Sequence, residues 1–331
     1  MHLETCLRCL GGRRDLLFNQ FFGKDYPPYY VIDKDVHARE LPLILFTLLT
    51  QIGVGAFIAL IMVKLIIWFR FPGLDYQWTL KGYVGILLTT VFAMFFSLSH
   101  LAAPSRGVRA LANFRTSWLS REIFFTGIFF ILTGVNFLFL IKSILPVPLL
   151  LVFDSATGIM GLIAIYAQAK AYMIFTHPTW YSKQTLMNFY RTSLRVGPLF
   201  LAALIVTSPT VYSFSQILVC ISATLLALIT TLVGWKNFYK KEKITPLAPE
   251  EWFRSGRGEK ITIAIGGLLL PIFFLVFIFF LPEKMTFGLM SMVIGSSFLL
   301  VIIGEILARA QFYKTGLKLN FLPYGAGKSN S

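Results

Sequence analysis

The chain has 331 residues, of which 56% are hydrophobic and only 14% charged, and its mean hydropathy is +0.72. A water-soluble domain carries about 25% charged residues, so this composition excludes an ordinary soluble enzyme; with repeated apolar runs of about 20 residues it reads as a polytopic helical membrane protein. A net charge of +15 would point a soluble protein toward nucleic acid, but here the sorting of charge between loops accounts for it, and no nucleic-acid partner is expected.

Residues 1–40 read as a tail outside the membrane, with Arg8, Arg13, Arg14 and a break at Asp25–Pro28. They hold no apolar stretch of the kind a cleavable signal needs, so the first apolar span is expected to act as the targeting signal as well. Eight spans follow, at roughly Leu41–Trp68, Gly82–His100, Glu122–Ile141, Leu149–Phe175, Leu194–Ser208, Val211–Trp235, Ile261–Leu281 and Phe287–Ala310. Only Ser208-Pro209-Thr210, a tight turn signal, separates the fifth from the sixth, and the two together are about twice the length a bilayer needs. The expectation is an all-α fold of eight transmembrane helices over 41–313, with a longer basic loop at 236–260 and a C-terminal tail at 314–331.

The Lys and Arg residues sort unequally. If both termini share a face, that face collects twenty-four of the 30 from the tail, the second, fourth and sixth loops and the C-terminus. The other face has only Lys64, Arg70, Lys81, Lys142 and Lys284, and Lys170 falls inside a helix. The positive-inside rule places both termini in the cytoplasm of a bacterial or archaeal plasma membrane.

Ionisable and amide groups inside spans are costly and mark function or buried pairs. Glu305 and Arg309 stand four apart in the last span, which predicts an ion pair along one helix face. Lys170 lies near the end of the fourth span and is placed to snorkel toward the basic face. Gln51 and Asn136 sit mid-span and read as interhelical hydrogen-bond partners.

The second loop concentrates the chemistry. His100 closes the second span, Glu122 opens the third, and between them run Arg106, Arg109, Arg115, Trp118 and Arg121. A base and an acid thus meet at one membrane boundary beside cations, a layout suited to an amphipathic molecule whose polar head sits at the interface. Taken singly, His100 reads as an interfacial histidine and Glu122 as a helix-start carboxylate favoured by the macrodipole. Cys6-Leu-Arg-Cys9 with His2 supplies too few ligands for a zinc or iron–sulfur site. A bis-histidine haem would have to use His100 and His177, and His177 lies in a loop ahead of Pro178, so neither metal nor haem is expected.

Several stretches carry a resemblance. They are Glu40-Leu-Pro-Leu-Ile-Leu-Phe-Thr-Leu-Leu-Thr-Gln51, His100-Leu-Ala-Ala-Pro104 through Leu119-Ser-Arg-Glu122, Pro178-Thr-Trp-Tyr-Ser182, Gly197-Pro-Leu, and Gly304-Glu-Ile-Leu-Ala-Arg309-Ala-Gln-Phe-Tyr313. In that order, over roughly Glu40 to Tyr313, the chain resembles the membrane-anchor subunits of the dimethyl sulfoxide reductase family. The resemblance implies eight transmembrane helices with no haem or metal of their own. It implies partnership with an iron–sulfur subunit and a molybdopterin catalytic subunit, with the anchor oxidising menaquinol. On the matching positions, it implies that His100 and Glu122 bind the quinol head group and accept its protons, as quinol oxidation needs a hydrogen-bond acceptor at each hydroxyl. Lys170, Arg106 and Trp118 are then expected to line the pocket. The tail, the basic loop 236–260 and His177 depart from the family pattern.

Two other readings are compatible with the spans. One is a quinone-reactive anchor of the polysulfide-reductase type. The other is a secondary transporter, for which Pro271 with Gly266-Gly267 supplies a broken helix but no half-to-half repeat is visible.

Overall fold

The computed structural model describes residues 30–31, 41–71, 77–99, 113–174, 180–206, 214–239, 257–280, 286–314 and 318–319. These form nine helices: α1 Leu41–Arg70, α2 Gln77–Ser99, α3 Trp118–Ile141, α4 Val147–Tyr172, α5 Lys183–Ile205, α6 Phe214–Tyr239, α7 Arg257–Ala264, α8 Leu270–Phe280 and α9 Phe287–Lys314. A π-helical turn, Ile265–Leu269, joins α7 to α8. A two-residue antiparallel pair, β1 Tyr30–Val31 with β2 Lys318–Leu319, sets Tyr30 opposite Leu319.

Local chemistry explains where the helices begin. Ser117 caps α3 by accepting from the Ser120 amide, and Ser182 caps α5 by accepting from the Thr185 amide. Each cap satisfies a backbone donor that the first turn leaves orphaned. Both helices therefore start ahead of their apolar stretches. The π turn before Pro271 has a similar local cause. Proline lacks an amide hydrogen and crowds the carbonyl four residues back, and a widened turn relieves that crowding. Ser297 of α9 donates to the Gly266 carbonyl within that turn.

Seven segments are long and apolar enough to cross a membrane: α1, α2, α3, α4, α6, the α7–α8 rod and α9. The chain is an all-helical, polytopic membrane protein. The fifth span expected from sequence, Leu194–Ser208, differs: α5 starts at Lys183, eleven residues earlier, and carries Arg191 in its first half and Arg195 just past its middle. It runs the length of the bundle all the same. It starts beside Trp180, whose Nε1 donates to the Phe312 carbonyl, and ends at Val206, whose carbonyl accepts from Ser291 near the start of α9. Val196, Leu199, Leu201 and Ala202 of α5 are fully enclosed by protein. A helix shielded from lipid has no need of an apolar exterior, which is why hydropathy misplaces its start.

The core is organised on α1, whose Val54, Ala56, Phe57, Leu60, Val63 and Ile67 are sealed from solvent. Where α1 crosses α5 the two backbones touch. A Cβ on Gly55 would collide with the Ser193 carbonyl, and one on Gly197 with the backbone of Gly55 and Ala56. Ser193 closes the seam by donating to the Gln51 carbonyl at 2.9 Å. Small residues at such a crossing let van der Waals contact and hydrogen bonds hold helices that lipid would otherwise solvate equally well.

Two ends of the bundle can be told apart by their contacts. At one, Thr47 of α1 lies beside Tyr313 of α9, and Tyr313 donates to Tyr172 of α4 at 2.8 Å. At the other, late α1, early α2 and early α4 meet through Lys64, Tyr83 and Asp154.

Candidate functional site

Glu122 stands in the second turn of α3, at the Tyr172–Tyr313 end, with 1% of its surface exposed. Its neighbour across the α3–α4 interface is Gln168, fully buried one turn before Tyr172. Gln168 accepts from Gln51 Nε2 of α1 at 2.8 Å, and Gln51 accepts from Arg309 of α9 at 2.7 Å. Four helices thus contribute one connected set of buried polar groups. The Arg309 guanidinium lies 3.8 Å from the centroid of the Phe189 ring, so its charge is stabilised by an aromatic face as well as by Gln51. Trp180 stacks on Phe312 at 5.3 Å and closes the set at the α4–α5 connection.

Gln168 and the Glu122 carboxylate are joined by a side-chain hydrogen bond, while the nearby Thr126 Oγ1 makes none within the protein. Thr126 lies one turn on from Glu122, on the same face of α3, and is 2% exposed. Buried polar atoms are nearly always paired, so the Thr126 hydroxyl stands out.

The Glu305–Arg309 ion pair expected along α9 is not formed. Glu305 is bridged instead by Arg195 of α5 and accepts from Thr192 at 2.8 Å. Partners on a facing helix satisfy both carboxylate oxygens, which a side chain of the same helix does less well. Gln51 and Asn136 are the interhelical partners the sequence suggests, Asn136 donating to Thr157 of α4 at 2.9 Å.

The second cluster is at the opposite end. Lys64 of α1 is ion-paired with Asp154 of α4, and Tyr83 of α2 donates to the same carboxylate. Lys64 therefore does not count among the surface charges of the sparse face; likewise Arg195 and Arg309 are buried within the bundle and do not belong to the basic face.

Of the residues singled out from sequence, His100, Arg106, His177, Cys6 and Cys9 lie outside the described residues, as does most of the 236–260 loop. Trp118 is half-buried at the start of α3, with the Arg121 guanidinium 4.3 Å from its centroid and Tyr166 of α4 edge-on at 5.8 Å. Lys170 lies over Tyr166, 5.5 Å from the ring centroid. The fold thus draws Trp118 and Lys170 together through Tyr166 into a partly exposed patch, while Glu122 faces the buried amides. Sequence reasoning passed over Asp154, Gln168, Tyr172 and Thr126. Asp154 carried a signal, being the lone acid of its span; the other three carried none, since an amide, a phenol and a hydroxyl in a helix are ordinary until their partners are known. Among the described residues no three His, Cys, Asp or Glu side chains come together to hold a metal ion.

The comparisons with known proteins agree with this architecture. The protein is 30% identical over 205 residues to the C subunit of the anaerobic dimethyl sulfoxide reductase of Haemophilus influenzae, a match spanning 59% of the present sequence and 70% of that subunit. It is 32% identical over 168 residues to the YnfH subunit of an anaerobic dimethyl sulfoxide reductase of Escherichia coli, spanning 50% and 58%. It is 31% identical over 162 residues to the C subunit of the Escherichia coli anaerobic dimethyl sulfoxide reductase, spanning 49% and 56%. The matches thus take in little more than half the length of the two Escherichia coli relatives. The sequence profile described as DMSO reductase anchor subunit (DmsC) matches residues 36–317, and the chain belongs to that family.

Proposed function

We propose that this protein anchors a three-subunit respiratory molybdoenzyme and carries its quinol-oxidising half-reaction, with menaquinol as bound substrate. Its partners are an iron–sulfur subunit, which takes the electrons, and a molybdopterin subunit, which uses them. The anchor works without haem or metal of its own, so no Soret band is expected to follow it through purification of the complex.

The observation that carries this reading is Glu122, a carboxylate 1% exposed and hydrogen-bonded to the buried Gln168, near the start of a membrane helix. A buried acceptor at that depth suits a hydroxyl that must lose its proton as it is oxidised. The chemistry needs a second acceptor, and His100 follows directly on Ser99, the last residue of α2. Because α2 starts at the Lys64 end, it finishes at the end where Glu122 lies. Between α2 and α3, Leu87, Val91, Phe130, Ile131, Gly134 and Leu138 line an open apolar groove, which gives an isoprenoid tail a path along the two helices that carry the head-group residues.

The contacts of Thr47, Tyr172 and Tyr313 support an even number of crossings between α1 and α9, and so eight spans with both ends on one face. The charge asymmetry makes that face cytoplasmic. Protease cleavage in 240–256 from the cytoplasmic side only is the expected result; cleavage only from outside overturns this orientation.

The function is tested in the complete membrane complex with Glu122→Gln and His100→Ala. Quinol-dependent turnover should fall by about a hundredfold or more, the usual contribution of a proton acceptor, while turnover with a soluble donor that bypasses the anchor stays unchanged. Full quinol-dependent turnover in both variants sinks the assignment.

A further inference from the structure

We propose that Arg309, Gln51 and Gln168 are positioning residues for Glu122: a one-way run of hydrogen bonds, from Arg309 of α9 through Gln51 of α1 to Gln168 of α4, holds the carboxylate as a proton acceptor. The proposal rests on the quinol reading above and names the residues through which the fold acts on Glu122.

The direction of the run is set at Arg309. Arginine has N–H donors and no acceptor. Gln51 therefore presents Oε1 to it, at 2.7 Å. Gln51 is left with Nε2, which donates to Gln168 Oε1 at 2.8 Å. Gln168 then meets the Glu122 carboxylate with its amide donating and the carboxylate accepting. Neither amide can turn over without setting N–H against N–H, at Gln51 against the guanidinium and at Gln168 against Gln51 Nε2. Arg309 is held in its turn, 5% exposed and 3.8 Å from the centroid of the Phe189 ring.

The buried charges of the bundle differ in how they are compensated. Lys64 touches Asp154, and Arg195 touches Glu305. Arg309 and Glu122 make no ion pair among the described residues. They are instead the two ends of one run, separated by two amides whose dipoles point the same way. The separation has a chemical consequence. A carboxylate gripped by a guanidinium has its lone pairs occupied and is a poor base. One held by an amide N–H, with its counter-charge two side chains away, stays ionised in a low-dielectric interior and keeps lone pairs for an incoming O–H.

The other charged and titratable groups around Glu122 are engaged elsewhere. Arg121 of the same helix turns to the carbonyls of Phe114 and Arg115. On α4, Lys170 lies over the Tyr166 ring, and Tyr172 is a phenol that accepts from the phenol of Tyr313. On α2, the other helix packed against α3, the cation among the described residues is Lys81, at the remote end beside Tyr83. Arg309 is thus the cation connected to the carboxylate through hydrogen bonds.

The test uses the complete complex in membrane vesicles, with quinol-dependent turnover per assembled complex measured across pH. Gln168→Met keeps the length of the side chain and removes the donor. The acid side of its profile should move up by about one pH unit, because the bond that favours the charged carboxylate is gone. Gln51→Glu separates positioning from mere support. A glutamate at this position still accepts from Arg309, and its second oxygen takes the Gln168 N–H groups. Gln168 then turns Oε1 toward Glu122, which must carry a proton to meet it and cannot accept another. Quinol turnover should fall about a hundredfold, as in Glu122→Gln, and further than in Gln51→Met. A structural role alone ranks these two the other way, since glutamate matches the shape of glutamine and pairs with Arg309. A Gln168→Met profile that superimposes on the parent's, or a Gln51→Glu complex more active than Gln51→Met, overturns the proposal. Full turnover in Glu122→Gln and His100→Ala overturns the quinol reading instead, so the two failures are told apart.

Discussion

Lys64 of α1 and Asp154 of α4 neutralise each other inside the bundle, 90 residues apart in sequence, with 1% and 0% of their side chains exposed. The hydroxyl of Tyr83 donates to the other oxygen of the same carboxylate, and the ammonium also lies 5.6 Å from the Tyr83 ring centroid. The pair ties three helices together at the end remote from Glu122. Removing one partner leaves an uncompensated charge in a low-dielectric interior, whereas removing both does not.

Lys64→Leu or Asp154→Leu alone should therefore destabilise the protein by about 3–5 kcal/mol, and the double substitution should restore most of the loss. Thermal unfolding of the purified complex in detergent measures it. A double variant as unstable as the sum of the singles would show that the charges are not a pair.

The α1–α5 seam predicts a contrast between glycines. Gly55→Ala or Gly197→Ala places a methyl group into opposing backbone, which cannot retreat as a side-chain tip can, and should cost about 1–3 kcal/mol or abolish assembly. Gly127→Ala and Gly134→Ala meet nothing within 4 Å and should be silent. Complex yield and melting temperature across the four variants decide it.

Gly134 also lines the groove between α2 and α3. A Cβ on Gly134 meets nothing within 4 Å, so Gly134→Leu projects into the groove, and KM for a long-tailed quinol should rise severalfold while KM for a short-tailed analogue holds. Equal KM changes for both would place the tail elsewhere.

Asn136→Leu removes one interhelical hydrogen bond, to Thr157. Such bonds in membranes average about 0.6 kcal/mol, so the expected loss is under about 1 kcal/mol, with no effect on quinol turnover. Chemical unfolding of the complex gives the first quantity and steady-state assay the second.

Much of the architecture could be read from the sequence because lipid imposes a simple rule: a segment facing it must be apolar and about 20 residues long. α1, α3 and α9 follow that rule, and their positions were legible to within a few residues. α5 does not, because it faces protein, and near its middle it carries Arg195, which serves Glu305. The site divides in the same way. Glu122 stands out as an acid where a span begins. The partners of Arg309 do not, because helical spacing within α9 favoured Glu305 while the fold brought up Gln51 from 258 residues away. Which pairs form is settled by helix rotation and crossing, quantities that a set of spans does not contain.

The direct backbone contact between α1 and α5 bears on how the protein enters the membrane during synthesis. A segment with Lys183, Arg191 and Arg195 has little tendency to leave the translocation machinery for lipid unaided. The glycine seam and the carbonyl of Gln51 offer it a surface that exists only once α1 is in place. α5 is thus expected to be retained at the insertion site until α1 can receive it, so a bulky replacement such as Gly55→Leu should appear first as a failure of biogenesis, with the fifth helix left untranslocated and the chain degraded.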